Sequence, residues 1–258
     1  MDRTMETILS RVQKPARYTG GEYNAVVKDP KQVDTRVAMC FPDTYEIGMS
    51  NLGVRILYGV MNELPGVWCE RVFAPWGDME EEMRREGLPL YGLESGDPIS
   101  DFDIIGFSLG YEMAYTNVLN MLDLAGLPLR SADRDEDAPL IIAGGTCAYN
   151  PEPLAPFVDI FSLGEGEEVT VELIRLYQRA RREGWSRQDL LSAAARVPGL
   201  YVPSLYAVTY REDGTVEAVT PREGAPELVT KRIVQDLDKA YFPVKTIVPS
   251  TEIVHDRV

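Results

Sequence analysis

Two glycine clusters in this chain stand where they could cradle a ligand. Leu140-Ile141-Ile142-Ala143 runs into Gly144-Gly145-Thr146, and Ile160-Phe161-Ser162-Leu163 runs into Gly164-Glu165-Gly166-Glu167. A glycine lets a bound molecule reach the backbone where a Cβ would block it. In a parallel sheet, ligands bind outside the carboxyl ends of the strands. Two further loops follow apolar strand patterns in the same way. The first holds Asp43, Thr44, Tyr45, Glu46, Gly48 and Ser50, and the second holds Ser108, Gly110, Tyr111 and Glu112. Together with Gly144, Gly145, Thr146, Gly164, Glu165 and Gly166, these are the candidate ligand-binding residues. The small ones leave room for a large, mostly neutral ligand, and Tyr45, Tyr111 and Tyr149 could pack on it. The competing reading is that the glycines only make tight strand-to-helix turns. Gly145 separates the two. Replacing it with valine should abolish ligand uptake in a folded domain if the glycine admits a ligand. It should only destabilise if the glycine serves a positive φ.

Much other chemistry is excluded. The single histidine is His255, so most histidine-based catalysis and any histidine-rich metal site are ruled out. Cys40, Cys69 and Cys147 lack metal-ligand spacing, and three is odd for a disulfide framework. Cys40 falls inside a strand pattern, and Cys147 reads as a buried bystander with a possible view of the ligand. No G-x-G-x-x-G follows the first strand and no G-x-x-x-x-G-K-[ST] occurs, which disfavours dinucleotide and P-loop chemistry. The Asp43-Thr44-Tyr45-Glu46 loop is too acidic for the phosphate of a flavin nucleotide. A phosphorylated aspartate at Asp43 would want a second acidic pair and a late lysine, and neither is evident.

The elements that must position these loops alternate. Strand patterns at 33–41, 70–74, 104–109, 140–143 and 160–163 are separated by helical patterns, and a short leader helix covers 5–12. Met79 and Met83 mark the inner face of a charged helix at 78–86, and a long amphipathic helix runs over 167–182. This alternation predicts an α/β fold: a flavodoxin- or Rossmann-like, five-stranded, mostly parallel sheet in the order 2-1-3-4-5, flanked by helices. The switch point then falls between the first and third strands, with all four loops on one rim. After Pro198 the pattern changes. Strands at 201–210 and 215–219 about Asp213-Gly214 predict a β-hairpin extension with a type I′ turn. An extended connector follows. The expected organisation is a leader and connector over 1–30, the α/β domain over 31–198, and a hairpin and linker over 199–258.

The formal net charge of −15 over 258 residues argues against direct nucleic-acid binding by a broad basic face. Apolar runs fall well short of the ~20 residues that span a bilayer. The N-terminus lacks a signal-peptide core, so no membrane partner is expected and a cytoplasmic protein is.

Several stretches carry a resemblance to a known family. They are Pro42-Asp43-Thr44-Tyr45-Glu46-Ile47-Gly48-Met49-Ser50-Asn51-Leu52-Gly53, G-F-S-L-G-Y-E from Gly106 to Glu112, and G-G-T at 144–146 with Pro151-Glu152-Pro153. G-E-G-E from Gly164 to Glu167 completes the set. In order and spacing they resemble the N-terminal cobalamin (B12)-binding-like domain of a radical S-adenosylmethionine protein family. V-H-D-R-V at 254–258 looks like the lead-in to the radical domain. The resemblance implies a corrinoid held without a protein histidine, since D-x-H-x-x-G is absent. It places the [4Fe–4S] cluster, S-adenosylmethionine and the enzymatic chemistry in a downstream radical domain of the same polypeptide, because this chain lacks C-x-x-x-C-x-x-C. This chain alone is then an accessory half that should hold no iron and cleave no S-adenosylmethionine. Two function classes remain: a module presenting a corrinoid or an unidentified substrate to that domain, or a degenerate Rossmann-like docking or scaffold module that binds no corrinoid.

Overall fold

Strands rich in Val, Ile, Cys and Phe, buried on both faces, build the centre of the protein, as a parallel sheet covered by helices requires. They are β1 (Thr35–Phe41), β2 (Val67–Phe73), β3 (Ile104–Ser108), β4 (Leu140–Gly144) and β5 (Ile160–Ser162). The structure, a computed structural model, describes residues 3–222 and 224–248. These five strands are parallel and lie in the order β2-β1-β3-β4-β5. The expected order therefore holds. A sixth strand, β6 (Leu200–Tyr201), is added antiparallel to β5.

Helices cover both faces. On one side pack α1 (Arg3–Leu9), α4 (Gly77–Glu86) and α5 (Tyr115–Leu124), burying Met79, Met83 and Met121 against Ile105, Phe107 and Ile141. The other side carries α3 (Leu52–Asn62), α6 (Gly166–Glu183) and α7 (Arg187–Ala194), packed on Val37, Met39, Ile104 and Leu140. A short helix, α2 (Tyr45–Ser50), fills the loop after β1. The boundaries follow local chemistry. The Asn51 side chain accepts the Val54 N–H to start α3, and Ser186 and Asp189 form a capping box on α7. Gly184 closes α6 in the left-handed conformation.

The edge strand β2 is finished by side chains. Cys69 donates its N–H to Asn62 Oδ1 and accepts from Asn62 Nδ2, both at 3.0 Å. The Arg71 N–H donates to the Glu94 carboxylate, and the Leu93 N–H donates to the Arg71 carbonyl. Lys28 Nζ donates to the Val67 carbonyl. The Arg71 side chain is fully buried and pairs with Glu94 at 2.7 Å and Glu22 at 2.6 Å. An unpaired ion there would carry a large desolvation cost.

The hairpin is β7 (Tyr206–Tyr210) with β8 (Val216–Pro221). Tyr201 belongs to the main sheet, so the hairpin starts later than the sequence pattern indicated. Its turn is also different from the one expected. Gly214 has φ +82, whereas Asp213 does not adopt a positive φ, so the turn is not type I′. The Gly214 N–H returns to the Arg211 carbonyl, with a register shift at Thr209/Tyr210. That pattern is a type I turn followed by a left-handed glycine. Among the described residues, no helix is long and apolar enough to cross a membrane. His255 and the 254–258 stretch lie outside the described residues.

Candidate functional site

The parallel register brings the loops after β1, β3, β4 and β5 to the same end of the sheet. The register also creates a gap. Ser108, Gly144 and Ser162 pair directly across β3, β4 and β5, and all three point to the α3/α6 side. One row further in, Gly106 lies between Met39 and Ile142 on the same face. Four small residues on neighbouring strands leave the sheet bare where its helices would otherwise rest. The result is a cavity of about 340 Å³ between this face and α3 and α6, reaching the rim at Gly110, Thr146 and Glu165. Its helical wall is mostly apolar, with Ile56, Leu57 and Met61 from α3 and Val169, Leu173 and Ile174 from α6; Glu167 and Thr170 of α6 are its polar members. One hydroxyl inside is uncommitted, since Ser162 Oγ is buried and has no hydrogen-bond partner. Buried hydroxyls normally find a partner, so this one marks a point where a ligand could bond.

The predicted residues divide by place. Ser108, Gly110, Gly144, Gly145, Thr146, Gly164, Glu165 and Gly166 line the cavity. The loop after β1 does not, because its groups are spent within the fold. Tyr45 donates its hydroxyl to Glu22 and packs edge-on against Phe73, with centroids 5.3 Å apart. Glu46 pairs with Arg17 and Lys14, and Ser50 donates to the Glu46 carbonyl. Gly48 abuts the Phe73 ring, where a Cβ would stand 2.2 Å from it. Asp43 accepts from the Thr44 N–H and from the Tyr111 hydroxyl. The Tyr111–Asp43 bond joins the loops after β1 and β3 over the rim, and it pushes the Tyr111 phenol up to about 12. Glu112 and Tyr149 are exposed, the first in the loop after β3 and the second in the turn after β4.

The glycines also divide by role. Gly145 has φ +104, and a Cβ there would stand 2.7 Å from the Leu109 carbonyl oxygen. Gly164 has φ +104 as well, and its Cβ would stand 2.1 Å from the Arg232 carbonyl oxygen. Both therefore serve backbone packing. At Gly164 the neighbour is the connector: Arg232 N–H donates to Leu163, Glu165 N–H donates to Arg232, and Val234 N–H donates to the Glu165 carboxylate. Gly110 has nothing near its absent Cβ, and the nearest atom to that of Gly106 is the Ala38 carbonyl oxygen at 3.9 Å. These two positions are open.

Gly106 and Ser162 are not among the candidate ligand-binding residues read from the sequence. The alternation Ile104-Gly106-Ser108 on one face, beside Phe107 and Leu109 on the other, is the signal that could have found Gly106. Cys40 lies in β1, Cys69 in β2 and Cys147 in the turn after β4, all buried. Burial, and then the Glu112 charge, hold the Cys147 thiol above its ordinary value, so it is no ready nucleophile. Among the described residues, no group of three or more His, Cys, Asp or Glu is placed to hold a metal ion.

The doubly wound sheet defines an α/β protein with an open slot between the carboxyl end of the sheet and helices α3 and α6. Comparison with known proteins narrows the class. The family described as "Radical SAM proteins, N-terminal" matches residues 53–203, more than half of the chain, and the chain belongs to that family. A protein of Methanocaldococcus jannaschii named only as uncharacterized is 26% identical over 141 residues, which cover 54% of this chain and 26% of that protein. The chain thus spans about a quarter of the length of that relative. No solved structure matches.

Proposed function

We propose that this chain is the ligand-holding N-terminal module of a radical S-adenosylmethionine enzyme, and that its ligand is a corrinoid bound without a protein histidine. The observation that carries the reading is the slot beneath Ser108, Gly144 and Ser162. A corrin macrocycle is too large for a cavity of about 340 Å³, but a flat, mostly apolar arm such as a benzimidazole suits it. Gly106 and Gly144 would admit the arm, Ile56, Leu57 and Leu173 would flank it, and Ser162 Oγ is free to bond it. Gly110 and Thr146, on the rim, would face the macrocycle. A bound corrinoid would supply cobalt–carbon chemistry to a downstream domain carrying the iron–sulfur cluster and S-adenosylmethionine. The residues of this chain bind, orient and keep water from the apolar arm.

The second reading is a docking module without corrinoid, favoured by Gly145 and Gly164. Both of these rim glycines are accounted for by backbone neighbours alone. The two readings part on one measurement. The chain is mixed with excess hydroxocobalamin, desalted, and its visible spectrum recorded. Retained corrinoid near one equivalent is the expected result. Protein that emerges colourless overturns the corrinoid reading and leaves the docking module.

A further inference from the structure

Helix α3 has a second working face. Gly53, Ile56, Leu57 and Met61 look onto the rim slot, whereas Arg55, Tyr58, Gly59 and Asn62 line a separate cavity of about 350 Å³. The outer walls of that cavity are the 24–26 segment and the 241–247 strap.

Arg55 is 5% exposed, and its Nε and Nη2 are buried without a hydrogen-bond partner. No ion pair involves it among the described residues. Among the described residues the other two buried arginines both have a carboxylate: Arg71 has Glu22 and Glu94, and Arg134 has Asp159. Arginine cannot shed its charge to escape burial, so an unpaired guanidinium carries the full desolvation cost. The two open atoms form the side edge of the guanidinium, the edge that grips two oxygens of a planar or tetrahedral anion at once.

Several neighbouring groups are already engaged. Asn24 Nδ2 donates to the Thr246 carbonyl, the Tyr58 hydroxyl accepts the Val26 N–H, and Asn62 is bonded to Cys69. Lys245 adds a second positive charge at the lining, and exposed Glu63 a negative one.

We infer that the Arg55 cavity is a binding site for a small-molecule oxyanion, a carboxylate or a phosphate, held by the Nε and Nη2 edge. The site is independent of the rim slot and of any corrinoid.

The test titrates the chain with inorganic phosphate and, separately, with acetate, at constant ionic strength. Thermal midpoint and the 15N-detected Nε signal of Arg55 are followed. The expected result is a saturable rise in midpoint with at least one of the two anions, accompanied by a shift of the Arg55 Nε resonance. Response to phosphate alone assigns a phosphate-bearing ligand, and response to acetate alone assigns a carboxylate. Arg55→Met removes the charge at similar length. It should melt higher than the anion-free wild type and show no saturable response. Arg55→Lys keeps the charge and loses the fork, weakening the anion by about tenfold or more, as expected for one lost charge-assisted hydrogen bond. Equal midpoint gains in wild type and Arg55→Met would reduce the effect to general salt stabilisation and overturn the site. So would an Arg55 Nε signal that neither anion moves.

Discussion

Gly106→Val asks whether the slot is ligand space or merely loose packing. Gly106 lies in the middle of β3, with an ordinary extended backbone and no positive φ. A Cβ built there meets nothing closer than the Ala38 carbonyl oxygen at 3.9 Å. Valine therefore enters existing space. A glycine inside a strand costs roughly 0.5–1 kcal/mol relative to alanine, and the preference of branched residues for strands adds to this. The substitution should stabilise by about 1 kcal/mol, which in a chain of this size raises the melting midpoint by about 2–4 °C. The same two methyl groups occupy the slot beside Met39 and Ile142. Calorimetry and cobalamin retention after desalting, run on the same sample, should show a higher midpoint and no retained corrinoid. A midpoint that falls would mean the face is not open. Retention equal to wild type would take the slot out of the binding site. Gly145→Val is the contrasting control. Its positive φ and the Leu109 backbone should cost roughly 2–3 kcal/mol, so lost ligand there would report lost structure.

Further outcomes follow from the surrounding contacts. Gly164→Ala should push the connector off the loop after β5, seen as lost hydrogen-exchange protection at the Arg232 and Val234 amides. Ser186→Ala removes the capping box of α7 and should cost about 1 kcal/mol, read as a lower denaturation midpoint. Burial opposes ionisation of Glu22, but hydrogen bonds and charge from Arg71, with a bond from Tyr45, more than offset it and hold the carboxyl below its ordinary value. A depressed carboxyl contributes stability above its unfolded value of 4.5 and loses it as pH falls through the folded value. Glu22→Gln should therefore flatten the acid limb of the stability profile, and an unchanged limb would refute the assignment.

The strand order and the common rim were legible in the sequence because parallel strands carry a local signature. They are apolar on both faces, and each is followed by a helix of the opposite periodicity. β6 was not legible, because two residues, Leu200 and Tyr201, make no pattern. The turn at Asp213-Gly214 was misassigned because the same dipeptide serves two hairpin geometries, and only the register decides between them. Of the site, the loops after β3, β4 and β5 were found from their glycines. The loop after β1 was included for its place on the rim, yet Tyr45, Glu46 and Gly48 are held by Glu22, Arg17 and Phe73, partners distant in sequence. The slot itself depends on Ser108, Gly144 and Ser162 meeting in one register row, a relation between strands that no single segment displays. Gly145 and Gly164 are alike in sequence to Gly106 and Gly110, and only their φ angles and backbone neighbours tell the two pairs apart.

The finished edge of β2 bears on how the molecule meets others of its kind. An open strand edge offers a row of unpaired amides that a second chain can extend, the first step toward a fibre or a swapped dimer. Here Lys28, Asn62, Glu94 and the Leu93 N–H already engage the edge groups of Val67, Cys69 and Arg71. The opposite edge closes on β6, whose two residues are too short to template anything. Neither end of the sheet can seed its own continuation, so crowded copies of this domain have no backbone template in the main sheet along which to polymerise.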